Sequence, residues 1–134
     1  MKTFHLTVTT PDRNVFDGEA ESLLVRSVTG DIEIMAGHAD LIAPVATGRA
    51  VLRANGNARM AAVSGGVLTV SGGIVTMLNV TFEFADEIDR ARAEAAKARA
   101  EEKLRTEKDE KELARARAKL MRAVSRLDVS ESLR

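Results

Sequence analysis

Up to residue 84 the hydrophobic and polar positions follow the pattern of short β-strands. In TFHLTVTT, residues 3–10, apolar side chains occupy alternate positions, which is the pattern of a strand with one buried face. Further short apolar runs follow, separated by the turn-forming sequences TPDR, VTGD, ANGN and two copies of SGG. Because no interval is long enough for a crossover helix, residues 3–84 predict an antiparallel β-sandwich or flattened barrel.

From about residue 86 the spacing of apolar residues becomes helical. Apolar side chains recur in steps of three and four in two stretches: Ile88, Ala91, Ala95 and Ala98, and later Leu113, Leu120, Val124 and Leu127. Asp86 is the predicted N-cap of the first helix, and Thr106, in RTEKDE, is the predicted N-cap of the second. The pattern therefore predicts a C-terminal hairpin of two antiparallel helices, roughly residues 87–105 and 108–128.

The predicted hairpin has two features that permit a second conformation. The seam of its first helix is mostly alanine, which buries little apolar area, so the hairpin is expected to be weakly held. The turn between the helices contains neither glycine nor proline. A continuous helix from Ile88 to Arg126 would therefore meet no helix breaker and would extend about 58 Å. The sequence permits both a folded hairpin and an extended rod.

Composition narrows the range of functions. The 134 residues fit one ordinary domain, or a small domain with an appendage. The 20 Lys and Arg residues balance the 20 Asp and Glu residues, so net charge does not favour a nucleic-acid or anionic-lipid partner. The absence of cysteine excludes disulfides, thiolate catalysis and cysteine-bound zinc. Without an apolar run typical of a signal peptide or a membrane span, we expect a soluble cytoplasmic protein.

The first predicted helix carries candidate anion-binding chemistry. Four of its residues fall within an arc of about 80°: Asp89, Arg92, Ala96 and Arg99. Arg122 and Arg126 lie one turn apart on the second helix. Converging arginines suit a polyphosphate, and a carboxylate accepts hydrogen bonds from adenine or ribose. The alternative is a capping aspartate, exposed ion pairs, and arginines placed favourably near a helix C-terminus. The pattern alone leaves both interpretations open.

Other polar residues carry weaker signals. Glu83 alternates with Phe82 and Phe84, so it faces away from the buried rings, either toward solvent or toward a docked hairpin. Ser64 and His38 would be the nucleophile and base of a hydrolase, but the Gly-x-Ser-x-Gly elbow is missing. The two histidines lack ligand spacing, and the glycine pairs match no phosphate-binding fingerprint. We therefore expect neither a catalytic residue nor a bound metal.

Several segments together resemble the epsilon subunits of bacterial rotary F-type ATP synthases. TGDIEIMAGHADLIAPVATG, residues 29–48, is similar to the signature segment of that family. Three more segments match the family in order: VFDGEAESLLV (15–25), VSGGVLTVSGGIVTML (63–78) and EIDRARAEAAKARAEEKL (87–104). Two departures are small: Glu33 stands where a small residue is usual, and Asp40 replaces a frequent proline.

The resemblance implies a β-sandwich of about ten strands, residues 1–85, followed by a two-helix hairpin, residues 86–134. The sandwich would lie on the central stalk beside the gamma subunit, with the loop at Gly37, His38 and Ala39 against the ring of c subunits. Such a subunit is not an enzyme. It couples rotation to the ring, and its hairpin can extend into the head of alpha and beta subunits and inhibit ATP hydrolysis. The complex would hold it peripherally at the cytoplasmic face of the bacterial cell membrane.

The resemblance also implies a regulatory ligand. In some family members ATP binds the compact hairpin through a motif Ile/Leu-Asp-x-x-Arg-Ala, and this chain has IDRARA at residues 88–93. The implied ATP contacts within the motif are Ile88, Asp89, Arg92 and Ala93. The implied outer contacts are Glu83, Arg99, Arg122 and Arg126. The alternative to an ATP-binding subunit is an adaptor or scaffold whose helical arm binds protein and no nucleotide.

Overall fold

A computed structural model describes residues 2–132, which form seven strands, a 3₁₀ turn and two helices. The strands are β1 (Phe4–Thr9), β2 (Asn14–Ala20), β3 (Ser22–Ser27), β4 (Gly30–Met35), β5 (Leu41–Ala54), β6 (Asn57–Ser71) and β7 (Ile74–Phe84). They form one sheet in the order β2-β1-β7-β6-β5-β3-β4. The β1–β7 pair is parallel and the other pairs are antiparallel.

The sheet folds over on itself and so supplies both layers of the predicted sandwich. Strands β5 and β6, of 14 and 15 residues, run through both layers. The first SGG, residues 64–66, was predicted as a turn, but β6 continues through it. A side chain at Gly66 would overlap the carbonyl oxygen of Leu78 on β7, so this close approach requires glycine. The sandwich therefore has seven strands, of which β5, β6 and β7 are long, where the resemblance implies about ten.

One apolar core lies between the layers. Alternate residues of the strands point into it, and Leu6, Leu23, Leu68 and Met77 are completely buried there. The β5–β6 turn predicted from ANGN is present: Asn55 and Gly56 have φ values of 53° and 77°. Two consecutive positive φ values are typical of the tight turns whose twist matches that of a hairpin.

The chain leaves β7 through a 3₁₀ turn, Ala85–Glu87, and enters α1, Arg90–Thr106. Asp89 is the N-cap of α1, and its Oδ1 accepts a hydrogen bond from the backbone N–H of Arg92 at 3.1 Å. The prediction that Asp86 is this cap is wrong, because Asp86 lies within the 3₁₀ turn. The helix therefore starts three residues later than the sequence suggested.

The second helix, α2, spans Glu110–Glu131. Thr106 is the last residue of α1, so the prediction that it caps α2 is wrong; Asp109 occupies that position. Between the helices Glu107 adopts an extended conformation, and its carboxylate accepts the backbone N–H groups of Lys108 and Asp109. These two hydrogen bonds lower the pKa of Glu107. The side chain of Glu107 thus supports a turn that has neither glycine nor proline.

The hairpin is antiparallel, and its buried seam is made of alanine as expected: Ala93, Ala100, Ala116 and Ala123. On α1 the predicted face is wrong, because Ala91, Ala95 and Ala98 are exposed. Ion pairs join the helices at both ends: Arg90 Nη2 to Glu131 Oε1 at 2.9 Å, and Lys103 Nζ to Glu112 Oε2 at 3.6 Å. Helix α2 packs against β5, β6 and the 3₁₀ turn. Neither helix is long and apolar enough to span a membrane, as far as residues 2–132 are concerned.

Candidate functional site

A cavity of about 470 Å³ opens where the β1–β2 turn, β7, α1 and α2 meet. We call it the junction cavity. Six of the eight predicted ATP contacts line it: Glu83, Asp89, Arg92, Ala93, Arg99 and Arg126. Residues that are far apart in sequence therefore meet around one space, and this space exists only while the hairpin is docked on the sandwich.

The start of α1 positions one wall of the junction cavity. The capping hydrogen bond that the backbone N–H of Arg92 donates to Asp89 sets the direction of the first turn. Ala93 is 2% exposed and forms part of the helix seam. Ala96, one turn further, adds a small side chain to the cavity wall. The motif thus supplies a carboxylate and a guanidinium beside small residues that leave room for a ligand.

An ion pair forms the opposite wall. Arg126 Nε donates to Glu83 Oε1 at 2.6 Å, with both side chains about 70% removed from solvent. The sequence left two environments open for Glu83, and the structure shows it facing the docked hairpin. Since Glu83 belongs to β7 and Arg126 to α2, the pair connects the sandwich directly to the second helix.

The other arginines among the predicted ATP contacts have no carboxylate partner of this kind in the part of the chain that the structure describes. Within residues 2–132 no carboxylate lies within ion-pair distance of Arg92, Arg99 or Arg122. Two of these arginines, Arg92 and Arg99, line the junction cavity with Asp89. Unpaired guanidinium groups suit the oxygens of a phosphate chain, and a carboxylate suits the donors of a base or ribose.

Two predicted contacts lie outside the junction cavity. Ile88 packs against Ala62, Ala85 and Val129, in the small apolar cluster beneath α2. Arg122 lines an adjoining groove between the helices, which shares Arg99 with the cavity. The structure therefore brings six of the eight residues together around the junction cavity. It places Ile88 in the apolar contact between the hairpin and the sandwich, and Arg122 in the adjoining groove.

Sequence reasoning missed the contribution of the β1–β2 turn. Thr10, Asp12 and Arg13, from the segment TPDR, line the junction cavity, although TPDR was read only as a turn. Arg13 Nη2 also pairs with Glu87 Oε2 at 2.9 Å, and this hydrogen bond and charge raise the pKa of Arg13. The parallel β1–β7 pairing carries this turn to the cavity, and parallel pairing leaves no signal in local sequence.

The loop predicted to contact the c-ring joins β4 to β5. Gly37 has a φ of 85°, and the backbone N–H of His38 donates to the carbonyl of Met35 at 3.1 Å. The imidazole Nδ1 of His38 lies 2.8 Å from the carbonyl oxygen of its neighbour Ala39. Asp40 accepts the backbone N–H of Gly72, which ties the loop to the β6–β7 turn.

The residues of the hydrolase alternative do not form a catalytic pair. The Ser64 hydroxyl lies 2.5 Å from the hydroxyl of Thr81, and Ser64 is buried on β6. His38 belongs to the β4–β5 loop and contacts the backbone of Ala39. The serine is thus a cross-strand hydrogen-bonding partner within the sheet.

Two family models cover almost the whole chain. The model described as "ATP synthase, Delta/Epsilon chain, beta-sandwich domain" matches residues 3–85, and "ATP synthase, Delta/Epsilon chain, long alpha-helix domain" matches residues 86–131. The chain belongs to the ATP synthase delta/epsilon family. Proteins named ATP synthase epsilon chain are similar throughout. That of Bacillus velezensis is 43% identical over 130 residues, covering 97% of this chain and 98% of the relative. That of Bacillus subtilis is 42% identical over 130 residues, with the same coverage.

Solved structures have the same fold. A chain of the Euglena gracilis mitochondrial ATP synthase matches 98% of this chain and 82% of its own length, with a TM-score of 0.82 and 22% identity. A chain of the Tetrahymena thermophila mitochondrial ATP synthase matches 98% of this chain and 96% of its own length, with a TM-score of 0.59 and 11% identity. The predicted family and fold class are confirmed, and the chain is a non-catalytic subunit of an ATP synthase.

Proposed function

We propose that this chain is the epsilon subunit of the central stalk of a bacterial F-type ATP synthase, and that ATP holds its hairpin in the docked state. The observation that carries the proposal is the junction cavity, where Asp89 lies with Arg92 and Arg99, two arginines without a carboxylate partner in residues 2–132. A ligand there would contact β7 and both helices together. Binding would therefore be coupled to docking of the hairpin.

The chemistry of the cavity favours a nucleoside polyphosphate. Arg92 and Arg99 offer forked N–H donors to phosphate oxygens, and Asp89 offers an acceptor to the amino or hydroxyl groups of adenosine. The exposed side chain of Val80 also lines the cavity and supplies apolar contact for a base. ATP would favour the docked hairpin only by its higher affinity for that state. At a thousand times its dissociation constant, a ligand contributes about 4 kcal/mol.

Loss of ATP would allow the hairpin to undock and adopt the extended conformation. The hairpin is held by an alanine seam, a small apolar cluster around Val129 and a few ion pairs. Without ligand the helices would separate and α2 would enter the head of alpha and beta subunits, where its basic residues meet acidic segments of the beta subunits and hydrolysis stops. The residues we assign to this contact are Arg115, Arg117, Lys119 and Arg122. Because Arg122 borders the nucleotide site when the hairpin is docked, it cannot serve both states at once.

Two uncovered surfaces of the sandwich support the proposed partners. Exposed apolar side chains lie side by side across β5, β6 and β7, where Pro44 pairs with Val67 and Val67 pairs with Leu78. A subunit face of this kind is typical of a protein interface, and we assign it to the gamma subunit. The loop at Gly37, His38 and Ala39, flanked by the exposed Met35, would contact the c-ring. These contacts would hold the chain at the cytoplasmic face of the bacterial membrane.

Calorimetric titration of the full chain with ATP tests the nucleotide site. Saturable binding should be lost in the Asp89→Ala/Arg92→Ala double variant. The matched control is Asp109→Ala/Lys97→Ala, which also removes one aspartate at an N-cap position and one cation but leaves the cavity lining intact. Unlike Asp89, Asp109 makes no capping hydrogen bond through its side chain. Circular dichroism reports whether either variant loses helix, because the capping hydrogen bond that Asp89→Ala removes contributes about 1 kcal/mol.

The result decides between a sensor and a simple coupling subunit. Binding that the cavity variant loses and the control retains supports the proposed site. Absence of saturable binding by the unmodified chain at millimolar ATP contradicts it and leaves a subunit that couples or inhibits without sensing. In the assembled synthase, Asp89→Ala should cause stronger inhibition that ATP does not relieve; unchanged inhibition would contradict the regulatory role.

A further inference from the structure

A groove of about 680 Å³ lies between α2 and the edge of the sandwich formed by β3, β5 and β6. We call it the α2–sheet groove. None of its lining residues lines the junction cavity, and none is among the predicted ATP contacts. Its volume is within the range typical of small-molecule sites, about 300–1,000 Å³. The α2–sheet groove is therefore a space separate from the nucleotide site.

Four large apolar side chains in the lining of this groove keep part of their surface exposed: Met60 of β6, and Leu120, Met121 and Val124 of α2. Met121 is 57% exposed. Met60 also packs in the small cluster around Val129, so the exposed apolar surface is continuous with the contact that docks the hairpin. Methionine side chains adapt readily to the shape of an apolar partner. An alkyl chain in the groove would cover apolar surface that docking alone leaves open to water.

The side chain of Arg26 adds methylene groups to this lining. A Cβ atom at Gly48 would lie 3.3 Å from Cδ of Arg26, so the glycine lets the Arg26 stem lie close against β5. The guanidinium of Arg26 pairs with Asp31, Nε to Oδ1 at 3.4 Å. Because its charge already has a partner, Arg26 contributes mainly the apolar part of its side chain to the groove.

Arg49 supplies a cation without a partner. It is exposed on β5, and within residues 2–132 no carboxylate lies within ion-pair distance of it. One carboxylate, Asp128 of α2, also lines the groove and offsets part of the positive charge. The groove thus combines a continuous apolar surface with a guanidinium that is free to bind an anion. This combination complements a molecule with an apolar chain and a carboxylate head.

We propose that the α2–sheet groove binds the monomeric anion of a medium- or long-chain fatty acid. The alkyl chain lies along the four apolar side chains, and the carboxylate accepts hydrogen bonds from the guanidinium of Arg49. Since the sheet and α2 both line the groove, the complete site exists only while the hairpin is docked. The fatty acid therefore stabilises the docked hairpin through residues that a nucleotide does not contact.

Calorimetric titration of the full chain with decanoate, kept monomeric and at constant ionic strength, tests this site. The unmodified chain should bind decanoate saturably and about fifteenfold more tightly than octanoate, because two more methylene groups leave water. Decyltrimethylammonium has the same alkyl chain and the opposite charge, and it should bind about tenfold more weakly than decanoate or not at all. Equal binding of the two amphiphiles, or no saturation at millimolar decanoate, would overturn the inference.

Substitutions of the two unpaired charged residues should change decanoate affinity in opposite directions. Arg49→Ala should weaken binding about fivefold, whereas Asp128→Asn should strengthen it by removing the opposing carboxylate. Arg53→Ala is the matched control, because Arg53 is also exposed on β5 but lines neither the α2–sheet groove nor the junction cavity. Equal affinities of Arg49→Ala and Arg53→Ala would overturn the assignment of the carboxylate to Arg49.

Two further measurements place the alkyl chain. Met121→Gln should weaken decanoate binding, while Ile74→Gln, at an equally exposed apolar position outside the groove, should not. Bound decanoate should also slow hydrogen exchange in α2 and leave the amides of residues 66–70 unchanged. Binding that Met121→Gln does not weaken, or that leaves α2 exchange unchanged, would refute the site. Circular dichroism checks that each variant is folded. If decanoate binds as expected but ATP does not, the nucleotide proposal fails and the groove stands; if only ATP binds, the groove fails alone.

Discussion

Val129 is the most deeply buried contact between α2 and the sandwich. It is 1% exposed and packs with Ala62 and Ala85, and Met60 and Ile88 complete the cluster. The substitution Val129→Ala removes two methyl groups, which at about 0.8 kcal/mol each amounts to about 1.6 kcal/mol. Any cavity that remains adds to this cost. Because the cluster is separate from the main core of the sandwich, the loss should fall on docking of the hairpin.

Native-state hydrogen exchange measures this docking directly. A loss of about 1.6 kcal/mol corresponds to about fifteenfold faster exchange for amides that open when the hairpin undocks. We expect this acceleration in α2, while the amides of β6 at residues 66–70 keep their protection. Val28→Ala is the matched control, because it removes the same atoms from a side chain that is 66% exposed. It should change neither region.

Two outcomes would refute the reasoning. If Val129→Ala accelerates exchange equally in α2 and β6, the sandwich and the hairpin unfold as one cooperative unit, and the small cluster is not an independent dock. If α2 exchanges at the same rate in the variant and in Val28→Ala, then the burial of Val129 contributes nothing to docking. Either result would also weaken the coupling between ligand binding and hairpin position.

Two further predictions concern the sandwich and its junction with the hairpin. Gly66→Ala should destabilise the protein by about 3 kcal/mol or more, because the new methyl group meets the Leu78 carbonyl; Gly18→Ala, whose methyl group meets only the Phe16 ring at 3.7 Å, should be tolerated in the same thermal melts. Partial burial opposes ionisation of Glu87, but hydrogen bonds from Arg13 and a backbone N–H lower its pKa overall. Its stabilisation should therefore be full above about pH 4.3 and disappear as pH falls through the folded-state pKa. The melting-temperature advantage over Glu87→Gln should shrink below that pH, and a constant difference would contradict this.

Local sequence patterns predicted the strands, turns and helices well wherever the conformation of a residue depends mainly on its neighbours in the chain. The period-two alternation of residues 3–10 became β1, and ANGN became a turn. The change to helical spacing was also visible in the sequence, but the spacing selected Ala91, Ala95 and Ala98 for the seam of α1, where the structure buries Ala93 and Ala100. The same local rules failed where two signals compete. Asp86 and Asp89 are both good capping residues, and the 3₁₀ turn after β7 decided between them.

The errors in the sheet have a tertiary cause. The glycines of the first SGG, residues 64–66, carry the same local signal as those of the second, residues 71–73. At the first, β6 continues through the bend because β5 and β7 pair with it on both sides; at the second, the chain turns back to form β7. Neighbouring strands, rather than the glycines themselves, determine which pair makes a turn.

The sequence by itself determined the elements, the family resemblance and the arc of charged residues on α1, because these depend on local spacing and composition. Only the tertiary structure decided which of these residues meet. Parallel pairing of β1 with β7 carries the TPDR turn to the junction cavity, and docking of α2 brings Arg126 to Glu83. It also places Ile88 in the docking cluster and Arg122 in the neighbouring groove. Such encounters join residues distant in the chain, and their geometry depends on packing that no local pattern encodes.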